Sequence, residues 1–166
     1  SVKHRIAPIS DLPRIVEIYN ATIPSRMVTA DLDAVTVESR VAWFREHKAD
    51  FRPLWVAEDA GGVIAWLSFS SFYGRPAYNK TAEISVYVDA SARRRGIASY
   101  LVNTAIRHAP DIAVDTLLGF IFGHNEPSLR LFERLGFVRW AYLPKVALLD
   151  GVERDLAILG RSAPLR

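Results

Sequence analysis

The sequence predicts an α/β (α+β) layer fold, a mixed sheet carrying helices on its faces, and three features lead to that expectation. Segments with apolar residues at period two alternate with segments at helical spacing. Asp59-Ala60-Gly61-Gly62 and Asp150-Gly151 each separate two strand-like runs, which marks two hairpins. Between these hairpins, Thr81–Val88, a helical stretch and Thr116–Phe122 follow one another in the order of a parallel crossover.

Taken in order, residues 2–7 predict a strand closed by Pro8, and Ser10-Asp11 offers an N-cap for a helix with Leu12, Ile15, Val16 and Tyr19 on one face. Residues 21–33 lack a clean period and carry Pro24, Arg26 and Met27, so a loop is expected there. A second helix is expected from near Thr36 until it frays at Ala49-Asp50, with Val37, Val41 and Phe44 on its inner face. Residues 54–58 and 63–69 form the first hairpin, and a polar, aromatic loop covers residues 70–80. The helix after the crossover strand turns Ile97, Leu101 and Ala105 inward and stops before Pro110. Thr116–Phe122 is apolar throughout, as a strand buried on both faces requires. A short helix with Leu129, Phe132 and Leu135 inward then ends at Gly136, and residues 138–149 and 152–159 close the chain as the second hairpin.

The 166 residues suit one domain, residues 1–166, with a composition that is 50% hydrophobic and 23% charged, as in globular proteins. Lysine and arginine number 21 against 18 acidic residues, an excess equal to the single cluster Arg93, Arg94 and Arg95. One concentrated basic site in an otherwise balanced chain favours a small polyanion over nucleic acid. Arg161 and Arg166 are expected in solvent. The absence of cysteine excludes disulfides, thiolate metal sites and cysteine nucleophiles. His4, His47, His108 and His124 have no metal-ligand spacing, and no metal is implied. Trp43, Trp55, Trp66 and Trp140 have no interleaved basic residues and are expected in the core. No apolar signal core opens the sequence and no run is long enough to span a membrane, so a cytoplasmic protein without membrane contact is expected.

The chemistry concentrates between Thr81 and Leu101. Ile84, Val86 and Val88 alternate with Glu83, Ser85 and Tyr87, and the alternation gives way to Arg93-Arg94-Arg95-Gly96 and a helix start. A first helical turn has N–H groups without intrahelical partners and a partial positive charge, which suits phosphate. Gly-x-x-x-x-Gly-Lys-Ser/Thr and Gly-x-Gly-x-x-Gly are both absent, which argues against a nucleotide triphosphatase or a dinucleotide-binding domain. In Arg93-x-x-Gly96-x-Ala98, small residues would let the backbone close on a pyrophosphate while arginines supply charge at the rim.

Val86-Tyr87-Val88-Asp89 with Arg93-Arg94-Arg95-Gly96-Ile97-Ala98 resembles the acetyl-CoA motif of the GCN5-related N-acetyltransferases (GNAT). Downstream, Asn125-Glu126-Pro127-Ser128 and Leu135-Gly136-Phe137 are similar to that family's later signature. Further similarity in Ile18-Tyr19-Asn20, in Arg75-Pro76-Ala77-Tyr78 before Thr-x-Glu, and in a closing hairpin with Asp155 points to the phosphinothricin N-acetyltransferase branch. The resemblance implies the GNAT fold, acetyl-CoA as cofactor and acetylation of a small amino-acid-like amine such as phosphinothricin, methionine sulfone or methionine sulfoximine. It also implies direct attack in a ternary complex, and a homodimer. The rivals are a protein N-terminal or lysine acetyltransferase and a non-catalytic acyl-CoA sensor.

The resemblance assigns Glu83 as general base, acting directly or through water, and backbone N–H groups near Val86, Tyr87 and Val88 as donors to the acetyl carbonyl. Arg93, Arg94, Arg95, Gly96, Ile97, Ala98 and Ser99 are expected around the pyrophosphate, with Asn125 and Ser128 on the pantetheine side. Many members place a tyrosine in the helix after Asn-x-x-Ser to protonate the thiolate, whereas this chain has Phe132, expected to be a core aromatic. Tyr87, Tyr142 or water would then supply the proton, or the thiolate would leave without an acid. For the acceptor, Arg75 is a carboxylate partner, with Tyr73, Tyr78, Arg26, Met27 and Lys145 as wall residues.

Overall fold

The computed structural model describes residues 1–165 and runs β1 (Lys3–Ile6), α1 (Leu12–Thr22), α2 (Val41–Arg45), β2 (Leu54–Asp59), β3 (Gly62–Ser71), β4 (Thr81–Val88), α3 (Ile97–His108), β5 (Thr116–Phe122), α4 (Glu126–Arg134), β6 (Val138–Leu149) and β7 (Val152–Ser162). These strands form one sheet in the order β1-β2-β3-β4-β5-β7-β6. Every neighbouring pair is antiparallel except β4 with β5, which the α3 crossover joins in parallel. Among the described residues, no helix is long and apolar enough to cross a membrane.

Each face of the sheet has its own core. On one face α3 buries Leu101, Val102, Ala105 and Ile106 against Leu67 and Phe69 of β3, Ile84 of β4 and Leu117 of β5, and α4 adds Phe132. On the other, Leu12, Ile15, Val16 and Ile18 of α1 pack on Leu54, Val56 and Trp66. Burial of side chains of this size contributes about 1.5–3 kcal/mol each, so the two apolar stripes hold the helices to the sheet.

Several local expectations change. Asp11 precedes α1 without capping it by its side chain, because its carboxylate accepts from Arg5 Nη1 at 2.6 Å. The second helix is a 3-10 turn, Glu38–Arg40, followed by only Val41–Arg45. It stops because Lys48 and Arg52 pair as an isolated antiparallel bridge that turns the chain back toward β2. Trp140 is 53% exposed rather than in the core: β6 is an edge strand, and the indole lies over Gly160, where an added Cβ would come within 2.2 Å of the ring. Arg161 is half-buried and donates to the Leu135 carbonyl at 2.7 Å, and Arg166 lies outside the described residues. Buried Arg52 gives its guanidinium to the Phe51 and Asn79 carbonyls and Ser71 Oγ, fastening the loop before β4.

The parallel pair is short. Thr81, Ala82 and Glu83 match Thr116, Leu117 and Leu118, after which β4 and β5 have no further paired residues. On its other side β4 stays paired with β3 through Val88, and Asp89 N–H continues that ladder to the Ile64 carbonyl at 2.8 Å. Hydrogen-bonded and non-bonded pairs alternate in an antiparallel ladder. Counting back from Asp89, Tyr87, Ser85 and Glu83 turn their peptide groups to β3, whereas Val88, Val86 and Ile84 turn theirs toward β5. The N–H groups of Val86 and Val88 therefore face an open gap.

Gly119 of β5 lies beneath buried Phe132, where an added Cβ would meet the ring at 2.7 Å. Gly119→Ala should lower stability by about 1–3 kcal/mol through overpacking, a fall of roughly 2–10 °C in the thermal midpoint. A calorimetric midpoint equal to or above that of the parent would contradict this packing.

Candidate functional site

The separation of β4 from β5 opens a cleft lined by Val28, Ile84, Ser85, Val86, Tyr87, Phe120, Ile121, Asn125, Ser128 and Phe132. Asn125 is 7% exposed and caps α4, its side-chain oxygen accepting from Ser128 N–H at 3.3 Å. The lining is apolar except at Ser85, Tyr87, Asn125 and Ser128, as a slot for a flexible arm with few polar groups requires.

A second cleft lies on the α1 face, with Tyr19, Arg40, Trp43, Trp66, Ser68, Ser70, Ser85 and Tyr87 in its lining. Ser85 and Tyr87 border both clefts, so one stretch of β4 forms the wall between them. The rings are mutually locked: Tyr87 stacks on Trp66 at 4.6 Å, and the edge contacts Tyr19–Tyr87 and Trp43–Trp66 span 5.2 and 5.4 Å. Glu83 shares this face by alternation along β4 and lies opposite Ser70 in register, two pairs beyond Ser68 and Ser85. Burial raises the Glu83 pKa above the ordinary carboxylate range. Burial also raises that of Tyr87, so its hydroxyl stays protonated near neutrality.

The loop after β4 is shaped for an anion. Asp89 accepts from Ser91 Oγ at 2.7 Å, from Ser91 N–H at 2.8 Å and from Arg14 Nη2 at 2.8 Å, which holds its pKa down to about 2. Arg94 and Gly96 both adopt left-handed conformations, φ 62° and 73°, and Gly96 is the N-cap residue of α3. Among the described residues, no hydrogen bond uses the N–H groups of Arg94, Arg95, Gly96, Ile97, Ala98 or Ser99. Arg95 pairs with Asp59 at 3.0 Å, while Arg93 and Arg94 are exposed and make no ion pair among the described residues. Six consecutive free donors at a helix start, with cations alongside, fit a diphosphate.

The sequence-predicted candidates divide into two groups. Val86, Tyr87, Asn125 and Ser128 line the gap, Val88 and residues 93–99 continue the chain from that stretch of β4, and Glu83 lies on the same face of β4 as Ser85 and Tyr87 but lines neither cleft. Tyr73, Arg75 and Tyr78 are exposed in the β3–β4 loop, where Phe72, Tyr73 and Tyr78 stack together, and they line neither cleft. Arg26 pairs with Asp150 at 2.7 Å, Met27 follows it, and Lys145 N–H donates to Asp155; these three also line neither cleft. Tyr142 donates to Asp155 on the β6–β7 hairpin and lines neither cleft. Phe132 is buried against Phe137 at 4.9 Å, as expected of a core aromatic, and borders the gap as well. Sequence reasoning missed Tyr19 as a wall residue, Arg40, and the serines Ser68, Ser70 and Ser85. The alternation of Trp66, Ser68 and Ser70 on β3 with buried Ala65, Leu67 and Phe69 is the signal that could have found the serines.

Comparison with known proteins agrees with this geometry. The family model described as "Acetyltransferase (GNAT) family" matches residues 13–137. The chain is 55% identical over 158 residues to the "Putative phosphinothricin acetyltransferase YwnH" of Bacillus subtilis, covering 95% of this chain and 96% of that protein. It is 30% identical over 171 residues to the L-methionine sulfoximine/L-methionine sulfone acetyltransferase of Pseudomonas aeruginosa, covering 99% of each. The structure superposes with a TM-score of 0.91 on a phosphinothricin acetyltransferase from Sinorhizobium meliloti in complex with acetyl-CoA, at 25% identity over 98% of this chain and 88% of the other. A sheet that opens between its only parallel strands, a free-amide loop at the following helix and a family match over most of the sequence lead to one conclusion: the chain belongs to the GNAT acetyltransferase family.

Proposed function

We propose that this acetyl-CoA-dependent N-acetyltransferase acts on the primary amine of a small amino acid or analogue of the phosphinothricin, methionine sulfone or methionine sulfoximine type. The observation that carries this reading is the shared wall: Ser85 and Tyr87 border both the gap and the second cleft. An acyl group brought along the gap and an amine brought through the other cleft would meet at one stretch of β4. The names of the relatives from Bacillus subtilis and Pseudomonas aeruginosa support the same substrate class.

Acetyl-CoA supplies an acyl group already activated as a thioester. The chain's own residues bind, orient and move protons around it. The amides of Arg94 to Ser99, with Arg93 and Arg94 beside them, would take the diphosphate. Asn125 and Ser128 would hold the arm in the gap, and the N–H groups of Val86 and Val88 would donate to the acyl oxygen. Tyr87 N–H is turned to β3, so of the three neighbouring amides it is the one excluded from that role. Glu83 would take the amine proton, directly or through water, at a pKa raised toward that task by burial. Phe132 has no proton to give, and of the tyrosines considered Tyr87 alone borders the gap, so its hydroxyl would hold the sulfur side. Tyr73, Arg75 and Tyr78 would form an outer rim, since their loop joins the strands just beyond the Ser70–Glu83 pair. Arg26, Met27 and Lys145 would act further out, with the β6–β7 turn that Arg26 holds through Asp150.

Among the described residues the lining of the acceptor cleft has no acidic residue, which favours an amino acid over a lysine-rich peptide or a polyamine. The exposed Val138, Trp140, Val146 and Leu148 on edge strand β6 support assembly as a homodimer. Dependence on acetyl-CoA supports a place in the cytoplasm.

A thiol-release assay with acetyl-CoA and a panel of methionine sulfone, phosphinothricin, polyamines and peptides tests the reading; no turnover with any amine would sink it. Glu83→Gln should lower kcat by about 10²–10⁴-fold while acetyl-CoA binding stays close to that of the parent. Because the base must be unprotonated, kcat/KM should fall as pH drops through the raised Glu83 pKa, and that limb should vanish in Glu83→Gln. An unchanged rate and profile would remove Glu83 from the mechanism. Gly96→Glu adds a side chain at φ 73° and a negative charge at the diphosphate loop, and should weaken acetyl-CoA binding by about 100-fold or more. Unchanged affinity in calorimetric titration would refute the loop assignment.

A further inference from the structure

We infer that Arg14 of α1 is a positioning residue for the cofactor's diphosphate: acting through Asp89, it fixes the loop whose free amides receive that group, an inference that rests on the diphosphate assignment above. Arg14 belongs to the helix on the opposite face of the sheet from α3 and lines neither cleft. Its place in α1 is otherwise unfavourable. The first helical turn carries the partial positive charge of the aligned peptide dipoles, which disfavours a cation, and this turn has no acidic residue. The guanidinium is instead satisfied by Asp89 Oδ2, which accepts from Nη2 at 2.8 Å, by the Val63 carbonyl, which accepts from Nε at 2.9 Å, and by Glu17.

Val63 and Asp89 mark the end of the β3–β4 ladder. The register of β2 with β3 shifts between Ala57 and Glu58, which makes Ile64 an extra residue on β3, a bulge. The Ile64 carbonyl accepts from Asp89 N–H at 2.8 Å. One planar side chain bonded to Val63 and to Asp89 therefore clamps the bulge to the point where the chain leaves β4.

Asp89 divides its carboxylate between two tasks. Oδ1 accepts from Ser91 N–H and Oγ at 2.8 and 2.7 Å, which closes the turn Ala90–Ala92, whereas Oδ2 goes to Arg14. With both oxygens held, the turn leaves β4 in one direction, toward left-handed Arg94 and Gly96 and the free amides at the start of α3. Arg14 also acts by charge. An unpaired carboxylate at the head of the loop would repel a diphosphate, and among the described residues Arg14 is the only ion-pair partner of Asp89. The two side chains are 33% and 23% exposed, so solvent screens the pair only in part.

The test sets CoA against pantetheine, which keeps the arm and the thiol but has no diphosphate, with binding of each measured by calorimetric titration. The parent should bind CoA about 100-fold or more tightly than pantetheine, as several charge-assisted hydrogen bonds require. Arg14→Gln should weaken CoA by about 10-fold and leave pantetheine within about twofold of the parent, and Arg14→Lys, which keeps the charge without the fork, should fall between. With an acceptor that the parent turns over, KM for acetyl-CoA should rise in Arg14→Gln while kcat at saturation stays close to the parent's. Where Arg14→Gln lowers the thermal midpoint enough to obscure binding, Arg14→Lys carries the same comparison. An equal loss for both ligands would reduce Arg14 to a structural residue and overturn the inference. If the parent itself does not prefer CoA, the diphosphate assignment fails and the inference with it; if the preference persists undiminished in Arg14→Gln, the inference alone fails.

Discussion

The separation of β4 from β5 is the constraint on which the site depends. Three matched residues hold the parallel strands together, and beyond Glu83 and Leu118 the sheet is open. Unpaired strand groups are costly when buried, so a sheet keeps such an opening only where other groups can use them. Here the peptide groups of Val86 and Val88 face the opening while those of Ser85 and Tyr87 remain in the β3 ladder. One strand thereby serves two purposes: its β3 side stiffens it, and its β5 side offers donors.

The two cores make this opening tolerable. α3 and α4 pack on one face, with Phe132 filling the space above Gly119, and α1 packs on the other. The loop that follows β4 is anchored at Asp89 by Ser91 and by Arg14 of α1, so a helix on one face positions an anion site that opens at the start of a helix on the other. Tyr19, Tyr87 and Trp66 continue that connection across the second cleft as a set of touching rings.

Much of the donor half was legible in the sequence, because its signals are local. Period-two alternation ending at Asp89, glycine at a left-handed N-cap and Asn125 capping its own helix are each set by a few neighbouring residues. The acceptor half was not. Arg40, Tyr19 and Ser68 come from three separate elements, and only the tertiary fold brings them to one cleft. Trp140 shows the same limit from the opposite direction: an aromatic at a strand position suggests burial, but the sheet order makes β6 an edge and leaves the ring exposed. Asp11 does hold the expected N-cap position of α1, but its carboxylate goes to Arg5 of β1 instead of to the helix amides, a partner that the local sequence could not weigh.

The claim that the opening beside β4 receives the acyl donor can be tested amide by amide through hydrogen exchange, with and without acetyl-CoA. Val86 and Val88, unpaired toward the gap, should exchange fast in the free protein and become protected by about 10-fold or more on binding, as a newly made hydrogen bond requires. Ser85 and Tyr87, already bonded to β3, should change little. Equal protection of all four residues, or none at Val86 and Val88, would contradict the account.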